Sequence, residues 1–273
     1  MRVHALAGLV LVLVASAPTV ASARSEALLE AYREGVELYR AGRYREAAPL
    51  LGEAAGRAER ELGPDHPDLA AALNDLALLY RAQGRYAEAE PLLRRALAIR
   101  KAALGPGHPD VAQSLNNLAL LLAAQARHAE AELLYRRALA IQEEALGPGH
   151  PGLATMLNNL GELYRKQGRY AEAEPLLRRA IAVGEEALGS EAPGLAGVLS
   201  NLGNVYYAQA RHAEAEPLFR RAVAIDEASL DPGHPDLANH RANLARLHEA
   251  RGRGGEVEAS RGRASAVERG SSR

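Results

Sequence analysis

The chain contains no cysteine and no tryptophan, with one phenylalanine and two methionines among its 273 residues. Without cysteine there can be no disulfide, no thiolate metal site and no thiol nucleophile. Aromatic residues amount to 4%, so bulk in the core has to come from leucine, alanine and valine, the usual stock of a helical protein. Lysine is nearly missing as well. All but Lys101 and Lys166 of the 33 basic residues are arginine, which reads as the codon bias of a GC-rich genome rather than as a binding signature. An excess of either charge is also lacking: the net charge is -1 and the pI about 6.8. This removes any global attraction to nucleic acid or anionic lipid.

Long apolar runs are absent too. The run from Ala5 to Ala15 is shorter than the ~20 residues of a bilayer span. It follows the positive start Met1-Arg2 and precedes Ala21-Ser22-Ala23, a small-x-small cleavage pattern. Residues 1–23 are therefore expected to be an export signal, with a mature chain from Arg24 directed to a periplasm or beyond. An uncleaved N-terminal anchor is the alternative, and without cysteine a lipoprotein anchor is excluded.

What the chain has in abundance is repetition. LGPDHPD (Leu62 to Asp68), LGPGHPD (Leu104 to Asp110), LGPGHPG (Leu146 to Gly152), LGSEAPG (Leu188 to Gly194) and LDPGHPD (Leu230 to Asp236) recur every 42 residues. A fixed period of this size means a solenoid built from one supersecondary unit. Between these stretches Leu69, Leu73, Leu76, Ala77 and Tyr80 mark one face of an amphipathic helix, and Ala89, Leu92, Leu93, Ala96 and Leu97 mark a second after the break at Gly84-Arg85. Each unit is thus a helix hairpin, with small residues such as Ala77 and Ala89 where two helix axes approach.

The recurring stretch is a joint. Its first glycine suits the end of a helix, the proline beyond it blocks continuation, the second proline suits a first helical turn, and the Asp meets the positive end of the helix dipole. His66, His108, His150 and His234 recur in register, but position 192 is Ala. Loops on stacked hairpins are about 10 Å apart, whereas zinc ligands lie about 2 Å from one ion. No metal site is expected, and no cofactor, since no Gly-rich turn followed by Lys is present.

The strings LNDLALLYRAQGRYAEAEPLLRRALAIR (Leu73 to Arg100), LNNLALLLAAQARHAEAELLYRRALAIQ (Leu115 to Gln142) and LNNLGELYRKQGRYAEAEPLLRRAIAV (Leu157 to Val183) resemble tetratricopeptide repeats. The period and the GPxHPD joint are similar to the longer variety typified by kinesin light chain. The resemblance implies an all-α, right-handed superhelical solenoid of stacked antiparallel hairpins. Its units would be about 26–62, 67–104, 109–146, 151–188 and 193–230, with a capping half-unit at 235–251, together spanning 24–251. Residues 252–273, rich in Gly, Ser and Arg with few apolar residues, are expected to be an unordered or frayed tail. Pro49, Pro91, Pro175 and Pro217 lie one turn inside the second helices, which predicts a late helix start or a kink there. The matching residue of the third unit is Leu133.

Function is expected on the face of the first helices that the resemblance places in a concave groove. One column there holds Asn74, Asn116 and Asn158, and another holds Arg81, Arg165 and Tyr207. The asparagines offer donors and acceptors to an extended peptide backbone, or else are simply solvated surface. Arg81 and Arg165 would select acidic side chains. The column one turn after the asparagines reads Leu78, Leu120, Glu162 and Asn204, not basic residues, which argues against a clamp for a C-terminal carboxylate. The adjacent column Asp75, Asn117, Asn159, Asn201 and Asn243 is read as hydrogen bonding between units.

These features point to an exported, non-enzymatic scaffold that binds a protein or extended peptide. Nucleic acid and stable membrane insertion after signal cleavage are not expected. Two other classes are a self-associating structural solenoid and a hydrolase built on the loop histidines. The second lacks a compact constellation of nucleophile, base and orienting group.

Overall fold

The structure is a computed structural model and describes residues 26–231 and 233–270. The expected export signal, 1–23, lies outside the described residues. The described elements are helices: α1 (Glu26–Arg40), α2 (Tyr44–Leu62), α3 (Pro67–Ala82), α4 (Tyr86–Leu104), α5 (Pro109–Ala124), α6 (His128–Leu146), α7 (Gly152–Lys166), α8 (Tyr170–Leu188), α9 (Leu195–Ala208), α10 (His212–Ser229) and α11 (Pro235–Gly270). They form repeated hairpins, the architecture of an all-α helical solenoid.

The chain divides into two compact units, with the boundary between Leu163 and Tyr164. In the first unit consecutive helices from α1 to α6 pack on each other, and α3 also touches α5. In the second, α8 packs on α9, α9 on α10 and α10 on α11, with α9 also touching α11.

Local chemistry explains the hairpins. At the end of α3, Arg85 N–H reaches back to Tyr80 O (2.8 Å) and Gly84 N–H to Arg81 O (3.0 Å), a closing motif that requires a positive φ at its corner. Gly84 supplies it at φ 75°, and Gly42 and Gly168 do the same at 72°. The equivalent corners after α5 and α9 are Ala126 (φ 60°) and Ala210 (φ 59°), where a Cβ makes the conformation costly.

The two helices of a hairpin meet over small residues. Ala47, Ala89, Ala131, Ala173 and Ala215 of the second helices are fully buried, as are Ala77 and Ala119 of the first. A methyl group on Gly203 would lie 2.6 Å from the ring of the fully buried Phe219, so this glycine makes room for the one phenylalanine.

The late helix start is excluded, and the reading of the tail is corrected. The second helices do not start late: they begin at Tyr44, Tyr86, Tyr170 and His212, upstream of Pro49, Pro91, Pro175 and Pro217, which lie inside them. These prolines are exposed, so the carbonyl that loses its partner faces water. Leu133 of α6, at the matching place, is 68% exposed. The stretch 252–270, read as an unordered tail, continues α11. Its alanines, glutamates and arginines are good helix formers, set among glycines at 252, 254, 255, 262 and 270.

Candidate functional site

The loop histidines are helix caps. The Nδ1 atoms of His66 and His108 accept from the N–H of Asp68 and Asp110, each at 3.1 Å. His150 does so from Gly152 (3.1 Å) and His234 from Asp236 (3.2 Å). Each imidazole therefore satisfies one of the open N–H groups of a first turn. Where Ala192 stands in place of His, α9 begins at Leu195 with no side-chain cap. Among the described residues no group of three or more His, Asp or Glu could hold a metal ion.

The two asparagine columns, assigned different tasks from the sequence, form one ladder. Asn117 Nδ2 donates to Asn74 Oδ1 (2.9 Å) and Asn159 Nδ2 to Asn116 Oδ1 (3.0 Å). Within one helix, Asn116 Nδ2 donates to Asn117 Oδ1 (3.4 Å) and Asn74 Nδ2 to Asp75 Oδ1 (3.3 Å). The second unit has a matching rung from Asn243 Nδ2 to Ser200 Oγ (3.0 Å). Asn74 is 6% and Asn116 1% exposed. The reading of Asn74 and Asn116 as groove contacts is therefore corrected: their amides are buried and bonded between repeats. Asn158 is half-buried and has bonding of its own.

The ladder ends where the preceding column residue is a tyrosine. Tyr32 Oη–H donates to Asp75 Oδ2, so the direction of the rung reverses. A carboxylate can only accept, and here it meets a hydroxyl that can donate. Burial holds the Asp75 carboxyl above its usual 3.8, although Tyr32 and Asn74 donate to it. The Tyr32 hydroxyl is pushed up by burial and by the Asp75 charge. Nearby, Arg100 donates from Nη1 to Ser114 Oγ (2.8 Å) and is lowered by burial.

The charged candidates divide between the units. In the first, Arg81 is half-buried, and its side chain makes no hydrogen bond, ion pair or ring contact with any described residue. Its Nε–H is closed to solvent and has no partner. The positive charge opposes the burial that raises the hydroxyls of Tyr39 and Tyr135. Glu162 of the same unit is half-buried and has bonding of its own, as has Arg165 of the second unit.

In the second unit Asn204 and Tyr207 come together with two residues that sequence reasoning missed. Arg246 Nη2 donates to Asn204 Oδ1 (2.8 Å), and its guanidinium lies 4.7 Å from the centre of the Tyr207 ring. The His212 ring stacks on Tyr207 at 5.5 Å. The signal for Arg246 was the register itself, since it stands 42 residues after Asn204 in the column that also holds Glu162.

Most other arginines are matched by glutamates. Arg127 pairs with Glu90 (2.8 Å) and Glu130 (2.7 Å), and Arg211 with Glu174 and Glu214 (both 2.7 Å). The His–Asp pair that a hydrolase would need occurs once with close geometry among the described residues. His240 Nδ1 is 2.6 Å from Asp226 Oδ2 and both residues are buried, but no hydroxyl of the described residues hydrogen-bonds to His240.

A family model for the tetratricopeptide repeat matches residues 28–102, 77–144, 110–186 and 194–258. Among solved structures, the chain is similar to the kinesin light chain-like, nearly identical TPR-like repeats of Podosopora anserina. That match has 28% identity and a TM-score of 0.60, and covers 75% of this chain and 97% of that one. BtubC (BKLC) from P. vanneervenii is similar at 26% identity and TM-score 0.61, with 91% of each chain covered. No curated protein matches.

Proposed function

Because the chain belongs to the tetratricopeptide-repeat family, whose hairpin arrays serve protein–protein interaction, we propose that it is a non-enzymatic scaffold holding a partner by an extended, acidic segment. The observation that carries this reading is Arg81. A half-buried guanidinium with no carboxylate of the described residues at ion-pair distance, and with an unpaired N–H, is in an expensive state, and an anionic group from a partner would relieve it. The Arg81 charge is felt at the buried hydroxyls of Tyr39 and Tyr135, where the Asp75 and Glu162 charges act in the opposite sense. The ladder of Asn74, Asn117, Asn116 and Asn159 holds the first helices in register and so keeps Arg81 in place.

We place this scaffold outside the cytoplasm on the strength of residues 1–23. Among the described residues no helix is long and apolar enough to cross a membrane. The exported chain of the native host is expected to begin at Arg24, and intact-mass measurement checks it. A selection of displayed random peptides on the full chain tests the binding mode. Acid-rich peptides should be enriched on the wild type and lost on Arg81→Gln. Enrichment without acidic residues, or equal enrichment on both proteins, would overturn the reading.

A further inference from the structure

The second unit treats one arginine differently from its neighbours. Arg178, Arg211, Arg220, Arg221, Arg241 and Arg251 are each ion-paired with a glutamate. Arg246 is held only by neutral groups: Nη2 donates to Asn204 Oδ1 (2.8 Å) and to Asn243 Oδ1 (3.2 Å), and the guanidinium packs on the Tyr207 ring. No carboxylate of the described residues lies within ion-pair distance, Glu249 on the next turn included.

Neutral acceptors orient a cation without quenching it. The two amide oxygens occupy both hydrogens of Nη2, which leaves the N–H of Nε and both of Nη1 without partners. Asn204 Nδ2 has no partner either, because its oxygen is turned to the arginine. The Asn243 amide is in turn fixed by its bond to Ser200. The arginine side chain is thus ordered before any ligand arrives, so binding does not have to supply the rotamer entropy of fixing it. Arg246 itself is exposed, as access requires.

From this geometry we infer that Arg246, Asn204 and Tyr207 form a preorganised site for a carboxylate side chain of an acidic peptide, with His212 backing the tyrosine ring. The carboxylate accepts from a free N–H group of Arg246 and from Asn204 Nδ2, and the Tyr207 ring covers the guanidinium face and limits its hydration. The inference rests on the peptide-binding reading of this chain but not on Arg81, which lies in the other unit.

The test uses the full chain with arginine side chains labelled with nitrogen-15, at low salt, because such contacts are screened. The probe is a tetraglutamate peptide with blocked ends, and blocked tetraglutamine is the neutral control. The Arg246 Nε–H signal is expected to shift saturably with tetraglutamate and not with tetraglutamine. Binding followed by anisotropy of the labelled peptide should weaken about tenfold in Arg246→Gln.

Asn204→Asp is the decisive variant, since it keeps the acceptor oxygen and adds a charge that quenches the arginine. Peptide binding at Arg246 should vanish while helicity and Tm are kept. If Arg246 only braces α11 against α9, Asn204→Asp would leave the peptide response unchanged, and the inference is overturned. A shift of Arg246 that is the same with tetraglutamine also overturns it. The Arg81 signal is read in the same spectra. Movement of Arg81 with Arg246 still sinks this inference and supports the proposed function; movement of Arg246 with Arg81 still does the reverse.

Discussion

At the scale of the residue, two positions break a rule that their counterparts keep. Ala126 and Ala210 sit at φ 60° and 59°, where an L side chain is disfavoured by about 1 kcal/mol. Gly42, Gly84 and Gly168 take the same corner freely. Ala126→Gly and Ala210→Gly should each raise stability by about 0.5–1 kcal/mol, although glycine is normally a poor choice beside a helix. Urea unfolding checks the sign. Asp75 is the other exception, a buried carboxylate in a column of asparagines whose folded pKa is raised by burial. A carboxyl with a raised folded pKa contributes stability that is fully present below its ordinary value and is lost as pH climbs through the raised one. The wild type should therefore lose stability relative to Asp75→Asn as pH rises from 3.8, and the variant should be the more stable at neutral pH. The amide introduced by Asp75→Asn can donate to the Tyr32 oxygen, which restores the direction of the other rungs. A flat difference between the two proteins across this range would show that Asp75 is not the titrating group.

At the scale of the element, the joint between hairpins is a stop signal and a cap in one stretch. Gly63, Gly105, Gly147 and Gly189 close the second helices at φ between 83° and 95°, and after the first three a histidine caps the next first helix. Only the second half of this could not be read from the residue types, since histidine is an uncommon cap and its role depends on Nδ1 reaching the N–H two residues on. The natural exception supplies an experiment. Ala192→Asn puts an amide oxygen where the other joints have the histidine Nδ1, two residues before Gly194, the uncapped N-cap of α9, and should raise the midpoint of unfolding by an amount equivalent to about 1 kcal/mol. A decrease would mean that Ala192 is needed small for packing.

At the scale of the whole molecule, the helix hairpins and their family were legible because a 42-residue period, apolar stripes and joint chemistry all agree. The depth of burial on each helix was not. A single stripe predicts one buried face, yet residues 72–79 of α3 are buried without interruption, because α3 packs against α2, α4 and α5 together. Asn74 and Asn116 were thereby drawn inside, while Arg81, two turns beyond Asn74, stayed at the rim. Arg246 escaped notice because its meaning lies in what surrounds it: two amide oxygens and a ring are visible only in three dimensions. Charge matching follows the same logic, since a glutamate three or four residues away can be read from sequence but the lack of any partner cannot.

The account stands on Arg81 as a cation without an ion-pair partner among the described residues that recognises an acidic partner. Titration calorimetry with one acid-rich peptide from the selection, on the wild type and on Arg81→Gln, tests this most directly. At least about tenfold weaker binding by the variant, with helicity and Tm unchanged, is the predicted result. Equal affinity in the two proteins would contradict it.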